Sequence, residues 1–165
     1  DPALSALGYG IISQNGTSLA LVAGSTIRTS PKQEFAQRLR QIHSEVAGII
    51  QQYQPGILVM EKPIYCQNMK TALILGQAGG MAILAGAEAS IPLQEFTPLE
   101  VKKAITGKGR ASKEQVGKMV RVLLGLRDTA LDEHVADALA CAICYAHSSK
   151  MLRFRNQASN LQGRR

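Results

Sequence analysis

The chain has 165 residues, enough for one domain with one core and too few for two, and its 45% hydrophobic content excludes a disordered polypeptide. Nineteen Lys and Arg against twelve Asp and Glu leave a net charge of +7. The excess is clustered: Lys102, Lys103, Lys108, Arg110, Lys113, Lys118 and Arg121 face only Glu114, and Lys150, Arg153, Arg155, Arg164 and Arg165 face no acid, a pattern that fits a polyanionic partner as well as an ordinary solvated surface.

Along the chain, LGYGIIS (7–13) and TSLALVAG (17–24) flank Asn15-Gly16, a strong hairpin signal. From Pro31 to Gln52 the apolar positions Phe35, Leu39, Ile42, Val46 and Ile49 step by four and three, the period of an amphipathic helix. GILVMEK (56–62) reads as a buried central strand that ends at a carboxylate, Glu61. An Ala- and Gly-rich helix over about 69–89 follows, then a strand at 92–97 and a short helix from Pro98 through Ile105. In that long helix Ala72, Gly76, Gly79, Gly80, Ala82 and Ala85 leave room for another element, either a second copy of the chain or the protein's own sheet. The loop GKGRAS (107–112), flexible and cationic, leads to a helix from Lys113 with Ser112 and Gln115 spaced as a capping box. A last helix covers about 133–148, and a basic tail, 150–165, is expected to be mobile. A hairpin followed by alternating helices and strands predicts an α/β layered domain over 1–149.

Three cysteines without paired spacing suggest a reduced, cytoplasmic protein, and Cys141 and Cys144, a CxxC inside a helix, read as small core residues. No run is long and apolar enough to span a membrane, and no signal peptide is visible.

The segment LDEHVADALA (131–140) places metal-capable side chains beside an apolar stripe. His134 and Asp137, three apart, share a helix face, whereas Asp132 and Glu133 fit a charge cluster at a helix start, where the dipole favours acids. Asp137, followed by Ala138, Leu139 and Ala140, needs a partner, either a structural salt bridge or a cation. Asp1 and Glu61 are acids in two further, separated segments. Converging carboxylates repel unless a hard cation lies between them, and Mg²⁺ prefers oxygen ligands. Two such ions about 3.5–4 Å apart activate water and stabilise the leaving oxygen in phosphodiester hydrolysis.

DPALSALGYGII, VMEKPIY, NMKTALILGQAGG, VKKAITGKGRASKEQV and DEHVADALACAI, in this order and spacing, resemble the RuvC family of bacterial Holliday-junction resolvases over nearly the whole chain. The resemblance implies a ribonuclease H-like fold with a five-stranded mixed sheet flanked by helices. It also implies a homodimer that nicks four-way DNA junctions symmetrically with Mg²⁺, or Mn²⁺ in its place, in recombination and repair. By motif position it makes Asp1, Glu61 and Asp137 metal ligands, with His134 as a further ligand or proton carrier, and puts Lys102 and Lys113 near the scissile phosphate. Ile64, Asn68 and Lys70 become DNA contacts, and the RuvA–RuvB branch-migration complex becomes a partner; Lys108 and Arg110 suit a DNA-backbone loop or an exposed turn, and Tyr65 suits base stacking or core packing.

Family members usually carry a short apolar strand before the first Asp, so the natural start is expected upstream of Asp1. Ala3 stands where Gly is usual, Leu7 for Thr, Ile64 for Phe and Gly79 for a basic residue. Other readings are a related nuclease cutting other branched DNA, a metal-free nucleic-acid binding module, and a kinase-like ATPase. The last lacks a second Asp-Gly phosphate-binding turn.

Overall fold

Asn15-Gly16 reverses the chain because Gly16 adopts φ +60°, where a side chain is strained. The computed structural model describes residues 2–62, 68–126 and 130–162, with side chains described from residue 4 to residue 148. A short helical turn, α1 (Pro2–Ser5), leads into β1 (Ala6–Asn15), which pairs antiparallel with β2 (Ser18–Arg28) from Ala6 opposite Arg28 to Asn15 opposite Ser18. Ile11 and Ile12 face Ala23 and Leu21, so Val22 is the extra residue of a bulge.

Helix α2 (Phe35–Tyr53) begins four residues later than the periodicity predicts, after a turn in which the Gln33 side chain accepts from the Ser30 amide. Its buried face is Arg38, Ile42, Val46 and Ile50, and Phe35, expected on that face, is 42% exposed. The cause is tertiary. Arg38 arrives where Thr29 and Ser5 present hydroxyl acceptors, at 2.8 and 2.9 Å, and the Thr29 hydroxyl donates in turn to the Leu4 carbonyl.

β3 (Leu58–Glu61) and β4 (Leu93–Phe96) pair in parallel around α3 (Met69–Glu88), with Leu58 opposite Leu93 and Glu61 opposite Phe96. Side chains of β3 alternate as a strand requires: Leu58 and Met60 meet Gly86 and Gly79 of α3, while Val59 joins the opposite core. After β4 come α4 (Pro98–Thr106), α5 (Lys113–Leu123) and α6 (Glu133–Gln162). Nothing between Ser148 and Gln162 is Gly or Pro, so α6 continues past the expected end at 148 and across the expected boundary at 149.

Two cores cover the strands. Leu4, Ile27, Ile42, Val46, Ala78 and Ala82 join α1, α2 and α3 to one side, and Val101, Val116, Val120, Leu139 and Ile143 join α4, α5 and α6 to the other. The α/β layered class is thus as expected. Among the described residues, however, four strands form two two-stranded sheets, not one sheet of five; α6 touches all four strands.

The small residues of α3 divide between two faces. Ala78, Ala82, Ala85 and Gly86 are buried, whereas Gly76 and Gly80 have open space beside them on the side that exposes Met69, Leu73, Ile83 and Leu84. Contrary to the expectation that no such run exists, α3 is long and apolar enough, by length and composition, to cross a membrane. Its Leu, Ile, Met and Ala raise hydropathy, and in the fold the helix is a layer packed on α2.

Candidate active site

Three helix starts are built beside the end of β3. Pro98 opens α4 behind a capping box of Thr97 and Glu100, and Lys113 opens α5 behind the expected box of Ser112 and Gln115. Asp132 precedes α6 and accepts from the His134 amide at 2.9 Å, and it also takes Thr26 Oγ1 at 3.2 Å and an Arg28 guanidinium nitrogen at 3.1 Å. These bonds tie the start of α6 to β2, so the charge cluster expected at the helix start is a cap as well.

The three starts and Glu61 enclose a pocket of about 200 Å³. Its charged lining is Glu61, Asp137, Lys102 and Lys113, and its apolar walls are Pro98, Val101, Val116 and Ala140. Pairs three apart, Lys113 with Val116 and Asp137 with Ala140, show each helix contributing one polar and one apolar side chain from the same face.

Charge is opposed in this space. Burial, and next the Asp137 carboxylate, push the Glu61 pKa up, while Lys113 and Lys102 pull it down. Lys113 Nζ lies 2.6 Å from Glu133 Oε1 and 3.5 Å from Asp137 Oδ2. The hydrogen bond to Glu133 is the main reason the Lys113 ammonium is held above its ordinary pKa. Asp137 therefore has the partner its place beside an apolar stripe demands.

The structure gathers Glu61, Asp137, Lys102 and Lys113, as the motifs imply. His134 is not among the pocket-lining residues; it is half-buried, and its backbone carbonyl lies over Gly8 of β1. Asp1, Ile64 and Tyr65 lie outside the described residues, and no group of three His, Cys, Asp or Glu suited to a metal occurs among those described. Asn68 caps α3, accepting from the amides of Lys70 and Thr71, and the Lys70 side chain is exposed.

Lys108 and Arg110 are exposed on the loop between α4 and α5. That loop, expected to be flexible, is pinned. Thr106 Oγ1 donates toward the carbonyls of Lys102 and Lys108, Gly107 turns at φ +73°, Gly109 abuts Leu99, and the Ala111 amide bonds back to Lys108. Cys141 and Cys144 are free and buried, as expected of core residues, and burial pushes the Cys141 thiol up to about 12.

Sequence reasoning missed the Glu133–Lys113 pair, the Asp132 bonds to β2 and the apolar walls. Only the walls had a local signal, the three-residue spacing from an already suspected polar residue.

The family described as "Crossover junction endodeoxyribonuclease RuvC" matches residues 1–145. The chain is 40% identical over 153 residues to crossover junction endodeoxyribonuclease RuvC of Halothermothrix orenii, covering 93% of each, and 43% identical over 147 residues to that of Pelotomaculum thermopropionicum, covering 89% of this chain and 90% of the relative. Among solved structures, Thermus thermophilus RuvC superposes with a TM-score of 0.83 over 90% of this chain and 91% of that one. The same protein in complex with Holliday junction substrate gives 0.85 over 92% of both chains, each at 32% identity. The fold is that of these proteins, ribonuclease H-like, and the chain belongs to the RuvC family.

Proposed function

We propose that this protein is a divalent-metal-dependent endonuclease that resolves four-way DNA junctions by paired symmetric nicks, leaving 5′-phosphate and 3′-hydroxyl ends, in bacterial recombination and repair. One observation carries the reading. Two carboxylates from separate elements, Glu61 and Asp137, share a pocket with Lys102 and Lys113, and Asp137 pushes the Glu61 pKa up. Carboxylates that repel across one space offer the all-oxygen donor set a hard cation requires. Glu61 and Asp137 would hold Mg²⁺, or Mn²⁺ in its place, with Asp1 completing the set and His134 as a further ligand or proton carrier; two ions per site suit the chemistry. Bound there, the metal supplies Lewis acidity and water activation.

The remaining work belongs to the chain. Lys113, the first residue of α5, and Lys102 neutralise charge that builds on the scissile phosphate. The first turns of α4 and α5, also lining the pocket, add the positive ends of their dipoles. The apolar walls, Pro98, Val101, Val116 and Ala140, back these charges on the protein side of the pocket. Lys108 and Arg110 on their pinned loop meet DNA phosphates, a sequence-independent contact suited to an enzyme that reads branch shape. Ile64, Tyr65, Asn68 and Lys70, with the basic residues from Lys150 onward, are further DNA contacts in this reading.

A junction has two-fold symmetry, and a two-fold enzyme matches it. The exposed face of α3, with Leu73, Ile83 and Leu84 around the open Gly76 and Gly80, is the homodimer surface in this reading. The RuvA–RuvB branch-migration complex is the protein partner, and the cytoplasm the compartment. The test compares four-way junction, fork, flap and duplex substrates with Mg²⁺ and with EDTA. Metal-dependent paired nicking confined to the junction is expected; equal cutting of forks and flaps, or cutting that survives EDTA, overturns it.

A further inference from the structure

Lys113 has two acids within reach and is bound unequally. Its Nζ lies 2.6 Å from Glu133 Oε1 and 3.5 Å from Asp137 Oδ2. Glu133 is the first residue of α6, and Asp137 is four residues on, one turn further into the pocket, so the lysine spans two successive turns of one helix face. Asp137 lines the pocket and Glu133 does not. All three side chains are substantially exposed, so the arrangement is not fixed by core packing.

An ammonium on Asp137 weakens a divalent cation on Asp137, because the two repel and draw on the same carboxylate charge. We propose that Glu133 is a positioning residue that draws Lys113 off Asp137, freeing that carboxylate for the metal and keeping the ammonium at the pocket edge to meet a phosphate. The proposal rests on the reading of Asp137 as a metal ligand. Without Glu133, the nearest anionic partner left to Lys113 is Asp137 itself, and the lysine becomes a competitor of the metal.

Neutralising any acid near a cation site weakens binding through charge alone, so the single variant Glu133→Gln is not sufficient. The measurement is Mn²⁺ affinity at fixed ionic strength, read by electron paramagnetic resonance of free Mn²⁺, on full-length wild type, Glu133→Gln, Lys113→Met and the double variant. It needs neither DNA nor turnover. If Glu133 acts through Lys113, Glu133→Gln weakens Mn²⁺ binding more in wild type than in the Lys113→Met background, by about two- to fivefold, the range of an exposed ion pair. An equal effect in both backgrounds, or none in wild type, overturns the proposal. Asp137→Asn in the same assay tests the reading beneath it: undiminished Mn²⁺ binding by that variant removes Asp137 as a ligand, whatever Glu133 does.

Discussion

Gly8 of β1 lies directly beneath the backbone carbonyl of His134, so close that a Cβ at position 8 would occupy the carbonyl's own space. Two residues along the strand, Gly10 lies against the Leu139 side chain, and on β2 Gly24 lies against the Val135 side chain. Three glycines thus let α6, the helix that carries Asp137, lie against the hairpin. Gly8→Ala should force α6 away and cost about 1–3 kcal/mol of stability, with a loss of nuclease activity larger than the fall in folded fraction. Gly48→Ala, an exposed position in α2 with nothing near its Cβ, should instead stabilise by about 0.5–1 kcal/mol. Urea melts of both variants, alongside junction cleavage, check the pair.

Glu61 carries a pH dependence whose sign follows from its surroundings. Burial and Asp137 raise its pKa, so in the metal-free protein its protonated form is favoured by folding. This contribution is fully present below the ordinary glutamate range and is lost as pH rises through the raised value. Asp137→Asn removes one raising cause and should bring the Glu61 pKa down. Lys113→Met removes a lowering cause and should move it up. Carboxyl-carbon NMR titration of the metal-free variants reads both shifts.

Arg38 is buried with hydroxyls, not a carboxylate, as its described side-chain partners. Thr29→Val strips the acceptor at 2.8 Å and leaves a buried guanidinium donor unmatched. It should destabilise by about 1–3 kcal/mol, and Thr29→Ser should restore most of the loss. Chemical denaturation midpoints at constant m-value decide this.

Leu73, 60% exposed on the open face of α3, should be needed for self-association and not for folding. Leu73→Glu should convert a dimer into a monomer, measured by light scattering with chromatography, and leave circular dichroism unchanged. A wild-type monomer at micromolar concentration would contradict the assignment of this face.

The parts of this protein that were legible in sequence are those whose cause is local. Asn15-Gly16 carries its own turn chemistry, Ser112 and Gln115 their own capping box, and the apolar run ending at Glu61 its own strand. The acids that share the pocket were legible only through motif order, because nothing in the spacing between residue 61 and residue 137 encodes proximity. Long-range pairings were invisible for the same reason. Arg38 entered the core because Thr29 and Ser5 wait for it, and Glu133 took Lys113 across a separation of 20 residues. Periodicity gave Phe35 the buried place that tertiary hydrogen bonding gave to Arg38.

The most direct measurement is single-turnover cleavage of a four-way junction with Mg²⁺ by Asp137→Asn and Glu61→Gln, with junction affinity recorded alongside. If the two carboxylates jointly hold the catalytic metal, each variant binds the junction as wild type does and cleaves it about a hundredfold more slowly or worse, since removing metal assistance costs several kcal/mol of barrier and each 1.36 kcal/mol is about tenfold. Cleavage by either variant at the wild-type rate would contradict the account.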